Sequence, residues 1–176
     1  MTGRISKVLG GVLGALVAIV LLVTVAARLH DGPLGGPLEI VAAGPFRTGE
    51  PHRGAEPDWS FLRDRQTVQL QLLDPERSRT TWILVHDGRP FIASGYMNTF
   101  LGRLWKQWPK EAERDGRAIL RVDGRLYPRR MVRLEASELA AAVLSELGRK
   151  YVGGAEIPVS EVATGSIWLF ELAPRP

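Results

Sequence analysis

The stretch TVQLQLLDPERSRTTWILVHDGRPFIAS, residues 67–94, decides the fold. Residues 67–73 alternate, with Val68, Leu70 and Leu72 facing one way and Thr67, Gln69 and Gln71 the other. A period of two with one apolar face marks a half-buried strand. Asp74-Pro75-Glu76-Arg77 is a run of turn residues. Residues 80–85 are β-branched, aromatic or aliphatic, which reads as a second strand. His86-Asp87-Gly88-Arg89 then supplies the positive φ that a tight hairpin needs, and residues 91–94 return as a third strand. Connections this short join antiparallel neighbours, because parallel pairs need crossovers of a dozen residues or more.

The same pattern recurs downstream. Residues 118–122 and 126–134 are strands joined by a second hairpin at Asp123-Gly124, and residues 167–172 are a final strand. Helices are inserted between them. Residues 98–108 place Phe100, Leu101, Leu104, Trp105 and Trp108 on one side. Pro109 either ends that helix or opens a second short one at its first turn. Ser137 is a candidate N-cap, followed by Leu139, Val143, Leu147 and Tyr151 on one helical face, with Gly153-Gly154 as the stop. No series of alternating strand and helix with parallel crossovers is present. The expected fold is mainly β with α (α+β), an antiparallel split barrel of about six strands with its edges closed or covered. It occupies residues 58–176.

Outward from the barrel, residues 31–57 are rich in Gly and Pro, with 38–42 as a short strand. They read as a stiff, extended juxtamembrane linker that holds the domain off the bilayer. Before them, residues 8–27 carry no charge, and Thr24 is the one polar side chain. A helix spanning a bilayer core needs about 20 mostly apolar residues. Residues 1–30 thus read as a short cytoplasmic tip and a transmembrane signal-anchor. Cleavage stays open, because Val25-Ala26-Ala27 fits a small-x-small cut, although the run exceeds the usual apolar stretch of a signal peptide. Arg4, Lys7 and the α-amino group precede the run. After it come Arg28, Asp31 and no further basic residue until Arg47. The positive-inside rule places the N-terminus in the cytoplasm and the globular part in the periplasm or exterior.

Composition narrows the function classes. Three of the 23 basic side chains and none of the 19 acidic ones fall within residues 1–30, which leaves the remainder at a net +1. The basic overall charge is therefore no argument for nucleic acid. Cysteine is absent, which excludes disulfides, thiolate metal sites and Cys nucleophiles. His30, His52 and His86 stand far apart, unlike the paired ligands of metal sites, so no metal is expected. Neither a Gly-x-Ser-x-Gly elbow nor a phosphate-binding Walker sequence occurs. Residues 103–133 hold ten basic and four acidic side chains. That excess could meet anionic lipid headgroups or an anionic cofactor, or it could be a salt-laced surface.

Several stretches resemble the flavin-binding split β-barrel of the pyridoxamine-phosphate-oxidase-like superfamily, including its deazaflavin-dependent reductase branch. Arg77-Ser78-Arg79-Thr80-Thr81 leads into a strand and an Asp-Gly hairpin. Phe91-Ile92-Ala93-Ser94 is followed by a Trp-bearing helix. Arg121-Val122-Asp123-Gly124-Arg125 turns into a long strand. Residues 147–151 and Trp168-Leu169-Phe170-Glu171-Leu172 look like the family's closing helix and strand. The likeness covers roughly residues 60–174. It implies FMN or a deazaflavin-type cofactor, held at the subunit interface of a homodimer.

A flavin-type phosphate needs fixed positive charge and hydroxyl donors converging on one spot, and the arginine fork matches its oxygens. Arg77, Ser78, Arg79, Thr80 and Thr81 offer two guanidinium groups and three hydroxyls in five residues; the alternative is a solvated turn entering a strand. Ser94 ends a strand where a barrel rim could present it to a ligand, or it is a turn hydroxyl. Lys106 lies on the helix opposite its apolar side, where it could meet a phosphate or be a solvated lysine. Trp105 or Trp108 could stack on an isoalloxazine ring, or serve as packing. Arg130 falls with Leu126, Val132 and Leu134 in the alternation of its strand, so it faces the interior and needs a partner, unless a bulge at Pro128 swings it out. Two functions stay open. One is a membrane-anchored oxidoreductase-like cofactor binder. The other is a non-catalytic envelope interaction or small-ligand module of the same fold.

Overall fold

The computed structural model describes residues 2–38, 41–100 and 106–175. Helix α1, Thr2–Leu29, comes first. Its segment Lys7–Leu29 is long and apolar enough to cross a membrane. Its 23 residues span about 34 Å at 1.5 Å each, a little more than a hydrocarbon core. Eight strands follow: β1 Glu50–Pro51, β2 Thr67–Leu73, β3 Glu76–Trp82, β4 Leu84–His86, β5 Arg89–Ser94, β6 Arg117–Val122, β7 Arg125–Arg133 and β8 Trp168–Pro174. They form one sheet in the order β3-β2-β6-β7-β8-β5-β4, with β1 beside β7. Each pair is antiparallel except β1 with β7. The architecture is α+β with a curled antiparallel sheet, a half-barrel.

The curl follows from one residue. β3 and β4 are the two ends of the sheet, yet they are separated in the chain by Ile83 alone. The ends must therefore come together at Ile83. The sequence reads residues 80–85 as one strand, whereas the structure splits that run between two edges. It also starts β3 at Glu76, so Arg77, Ser78 and Arg79 are strand residues rather than turn residues. Both Asp-Gly hairpins form as expected, with φ of 47° and 68° at Asp87 and Gly88, and 49° and 76° at Asp123 and Gly124. A side chain at Gly88 would also strike the Asp58 carboxylate, 2.7 Å from where its Cβ would lie.

Two apolar clusters hold the domain together. Leu70, Leu72, Ile92, Leu120, Phe170 and Leu172 fill the concave side with Trp59 and Trp108. Helix α2, Trp108–Arg114, begins with Pro109 in its first turn, the second of the two readings given for that proline. Residues 101–105, the body of the expected helix 98–108, lie outside the described residues. Helix α3, Glu138–Tyr151, is capped by the Ser137 hydroxyl, which accepts from the Ala140 amide at 3.2 Å. It packs Val143, Leu144 and Leu147 on Leu84, Phe91 and Leu169. Each such buried leucine contributes roughly 2 kcal/mol of transfer free energy. A single-turn helix α4, Ser160–Ala163, leads into β8.

Residues 31–57 run against the barrel instead of away from it. Ala43 bridges Ser78 on the outer edge of β3. The Phe46 amide donates to Gln71 Oε1 at 2.6 Å, and β1 pairs with the start of β7. Asp31 accepts from the Arg47 amide at 2.6 Å and pairs with Arg121 at 3.2 Å. Gly36–Leu38 is a 3-10 turn, and residues 39–40 of the expected strand 38–42 lie outside the described residues. The Gly and Pro content had pointed to an extended spacer. Polar partners on β2, β6 and β7, invisible at that level, fold it back.

The register of β7 is opposite to the one its apolar residues imply. Tyr127, Arg129 and Met131 are buried, while Pro128, Arg130 and Val132 are exposed. Arg129, only 1% exposed, takes the interior position that the alternation offered as one of two for Arg130. Its charge is met by Glu56 at 2.7 Å, and its guanidinium lies 4.8 Å from the Trp59 ring and 5.6 Å from that of Tyr127. A one-residue slip moves every side chain to the other face, and here an acid from the lead-in selects the slip.

Candidate functional site

The strand β3, the start of α2 and the last turns of α1 enclose a cleft of about 740 Å³. Such a volume falls in the usual range of small-molecule sites, roughly 300–1,000 Å³. Its floor is polar and basic: Arg77, Arg79 and Thr80 from β3, Lys106, and Glu111 from α2. Its opposite wall is aliphatic: Ile19, Val20 and Val23 from α1, with Leu38 and Val41 beyond.

Arg79 is the most constrained of these groups. Its Nε is buried and finds no hydrogen-bond acceptor among the described residues. Its guanidinium lies 5.2 Å from the centre of the Trp108 ring, a cation–π approach that leaves that ring face covered. Burial pushes its pKa down to about 10, and repulsion from Arg77 and Arg28 adds to this against the pull of Glu111. It is still a cation at neutral pH. Arg77 pairs with Glu111 at 3.7 Å. Lys106 donates to the Gly95 carbonyl at 2.9 Å and lies 5.6 Å from the Tyr96 ring. Burial lowers its pKa from the usual lysine value.

The structure thus gathers four of the residues that sequence reasoning singled out, Arg77, Arg79, Thr80 and Lys106, around one space. Four others, among the described residues, fall elsewhere. Ser78 is buried, with its hydroxyl donating to the Gly44 carbonyl. Thr81 pairs with Val68 across the hairpin and does not line the cleft. Ser94 is buried and donates to Met97 Sδ at 3.4 Å. Arg130 is exposed, in register with Arg117 and Ala173, the outward one of the two positions left open, reached without a bulge at Pro128. Trp105 lies outside the described residues. Glu111 and the α1 wall escaped the sequence reading. A lone glutamate on a short helix carries no signal, and an apolar run reads as an anchor before it reads as the side of a pocket.

A second, polar concavity of about 460 Å³ lies on the other side of β2, between Asp31, Thr48, Gln69 and Arg121. Its groups satisfy one another. Arg121 Nε donates to Gln69 Oε1 at 2.7 Å, and its guanidinium lies 4.2 Å from the Phe46 ring centre. Burial works to raise the Asp31 carboxyl, but the Thr48 hydroxyl, the Arg47 and Thr48 amides and the Arg121 charge outweigh it and bring its pKa to about 2. Among the described residues there is no group of three or more His, Cys, Asp or Glu that could hold a metal ion.

Neither a protein-family profile nor a curated protein matches the chain. Solved structures do show a likeness. One is a conserved hypothetical protein of Mycobacterium tuberculosis, 15% identical, with a TM-score of 0.48 over 66% of this chain and 78% of that one. Another is a Listeria innocua protein described as a candidate pyridoxamine 5'-phosphate oxidase, 12% identical, with a TM-score of 0.45 over 66% of this chain and 90% of that one. At these identities the likeness concerns the fold alone.

Proposed function

We propose that this chain is a membrane-tethered split-barrel binding protein that takes a phosphate-bearing ligand in the cleft between α1 and β3. One observation carries the reading. The side chains of Arg77, Arg79, Thr80 and Lys106 line one space, so three cations and a hydroxyl converge there. A phosphate seated among them makes charge-assisted hydrogen bonds with the guanidinium and ammonium donors, which are roughly twice as strong as neutral ones. Among the described residues, Glu111 is the one carboxylate lining the cleft against three cations, which favours an anion. The charge flanking α1 supports a cytoplasmic N-terminus and an extracytoplasmic barrel.

A flavin-type cofactor is the second reading, favoured by the resemblance that Arg77 to Thr81 carry. The phosphate end of such a group fits Arg77, Arg79 and Thr80. The ring end is less well provided, because Arg79 already covers the Trp108 face and the far wall is aliphatic. When bound, the cofactor would supply hydride or electron transfer, and the protein its position.

The test uses the full chain in mild detergent. Its visible spectrum and the mass of any molecule released on denaturation are recorded, and phenyl phosphate is then titrated by calorimetry. The proposal expects saturable phenyl phosphate binding, weakened about tenfold or more in Arg77→Gln, from the loss of a charged hydrogen bond. A flavin absorption band with a matching mass would move the assignment to the second reading. A colourless protein that binds neither phenyl phosphate nor added flavin would overturn both.

A further inference from the structure

The cleft is bounded on one side by the segment that is long enough to cross a membrane. Its aliphatic wall is therefore continuous with the surface that α1 turns toward acyl chains. Depth along the helix can be counted. Leu29 closes the apolar segment, and Ile19 lies about 15 Å further in at 1.5 Å per residue. Val23 is thus about 9 Å below the boundary and Ile19 near the midplane of the roughly 30 Å core, while the turn that ends at Leu29 is level with the headgroups.

The basic floor meets the helix at that upper level. Arg28 stands near enough to Arg79 to repel it, and Arg77 adds to the same repulsion. Glu111 acts on Arg28, Arg77 and Arg79, Lys106 lines the same cleft, and Glu111 is the one carboxylate in that lining among the described residues. Beside Lys106, the Tyr96 ring is 75% exposed, and Phe100, four residues on, is 74% exposed. Aromatic side chains with a polar neighbour are the usual furniture of the membrane–water boundary. Cations at headgroup level, aliphatic carbons below them and aromatics at the rim describe one amphiphile in outline.

We infer that the cleft holds an anionic phospholipid of the surrounding bilayer, its phosphate between Arg77 and Arg79 and an acyl chain running down along Val23, Val20 and Ile19. This rests on the phosphate-ligand reading above and names the ligand class. A lipid enters sideways along α1 without leaving the bilayer, which a soluble phosphate ester cannot do. The cationic excess selects a net negative headgroup over a zwitterionic one.

The experiment is native mass spectrometry of the delipidated full chain in nonionic detergent, titrated separately with phosphatidylglycerol, phosphatidylcholine and phenyl phosphate. The expected result is one phosphatidylglycerol per chain, bound about tenfold or more tightly than phosphatidylcholine, the value of one charge-assisted contact. Arg77→Gln, a half-exposed position that spares the fold, and Val23→Trp, which fills the aliphatic wall, should each weaken that binding about tenfold on the same grounds. Arg125→Gln, on the exposed start of β7, should leave it unchanged. Equal binding of the two lipids, indifferent to Arg77→Gln, would mean ordinary annular lipid and overturns the inference. Phenyl phosphate binding that depends on Arg77, without preferential lipid binding, overturns the inference and leaves the phosphate-ligand reading standing. Binding of neither overturns both.

Discussion

The Tyr151 hydroxyl accepts the Ile83 amide at 3.1 Å and lies 2.9 Å from the Ile83 carbonyl oxygen. Ile83 is the residue where the chain leaves one edge of the sheet for the other, so its backbone cannot be satisfied by either edge. Tyr151, at the end of α3, does that instead, and Lys150 donates to the same carbonyl at 2.7 Å. The Tyr151 ring stacks on Trp82, the preceding strand residue, with centroids 4.5 Å apart and planes 8° apart. One aromatic side chain thus closes the half-barrel and anchors the helix.

Tyr151→Phe keeps the stack and removes the hydroxyl. It should lower the unfolding free energy by about 1–3 kcal/mol, the cost of leaving a buried amide unpaired. Urea unfolding followed by tryptophan fluorescence checks this; a midpoint that does not move would show that water reaches Ile83.

Glu56→Gln should destabilise the protein by about 2 kcal/mol, because it leaves the buried Arg129 charge with a neutral partner. The figure is below that of a fully buried pair, since the Glu56 side chain is 40% exposed. Arg129→Met, which removes the charge and keeps much of the volume, should be better tolerated than Glu56→Gln. The order of the two midpoints is the measurement.

Asp31 sets a limit on the acid side. Its pKa is lowered in the folded state from the ordinary 3.8 to about 2. A carboxyl depressed by folding stabilises the protein above its unfolded pKa, and that contribution is lost as pH falls through the folded one. The lead-in should therefore loosen from the barrel between pH 3.8 and about 2. Thermal melting across that window should show the loss in the native chain and a flatter profile in Asp31→Asn.

The absence of cysteine gives a clean background for topology. Glu156→Cys introduces one thiol in an exposed loop of the barrel. With the barrel outside, a membrane-impermeant maleimide should label it in intact cells. Protection until lysis would place the barrel in the cytoplasm.

What the sequence made legible is what short-range chemistry controls. The alternation of Val68, Leu70 and Leu72, the Asp-Gly hairpins, the Ser137 cap and the apolar run of α1 each follow from neighbours a few residues apart. The break at Ile83 does not, because its cause is Tyr151, far along the chain. Nor does the register of β7, where Glu56 and Trp59 stabilise Arg129 inside. The cleft was half legible. The basic residues of β3 stood out by density, while the wall that gives them a ligand class belongs to a segment whose apolarity already had an explanation.

The bridge from Ala43 to Ser78 has a further consequence. Strands that end a sheet invite other chains to add to them, and this pairing occupies the free side of β3 at Ser78 with residues from the chain's own lead-in. The molecule carries its own gatekeeper there. Any pairing with a second copy at that edge must first peel away the lead-in, and a dimer that leaves it in place must be cemented by side-chain surfaces.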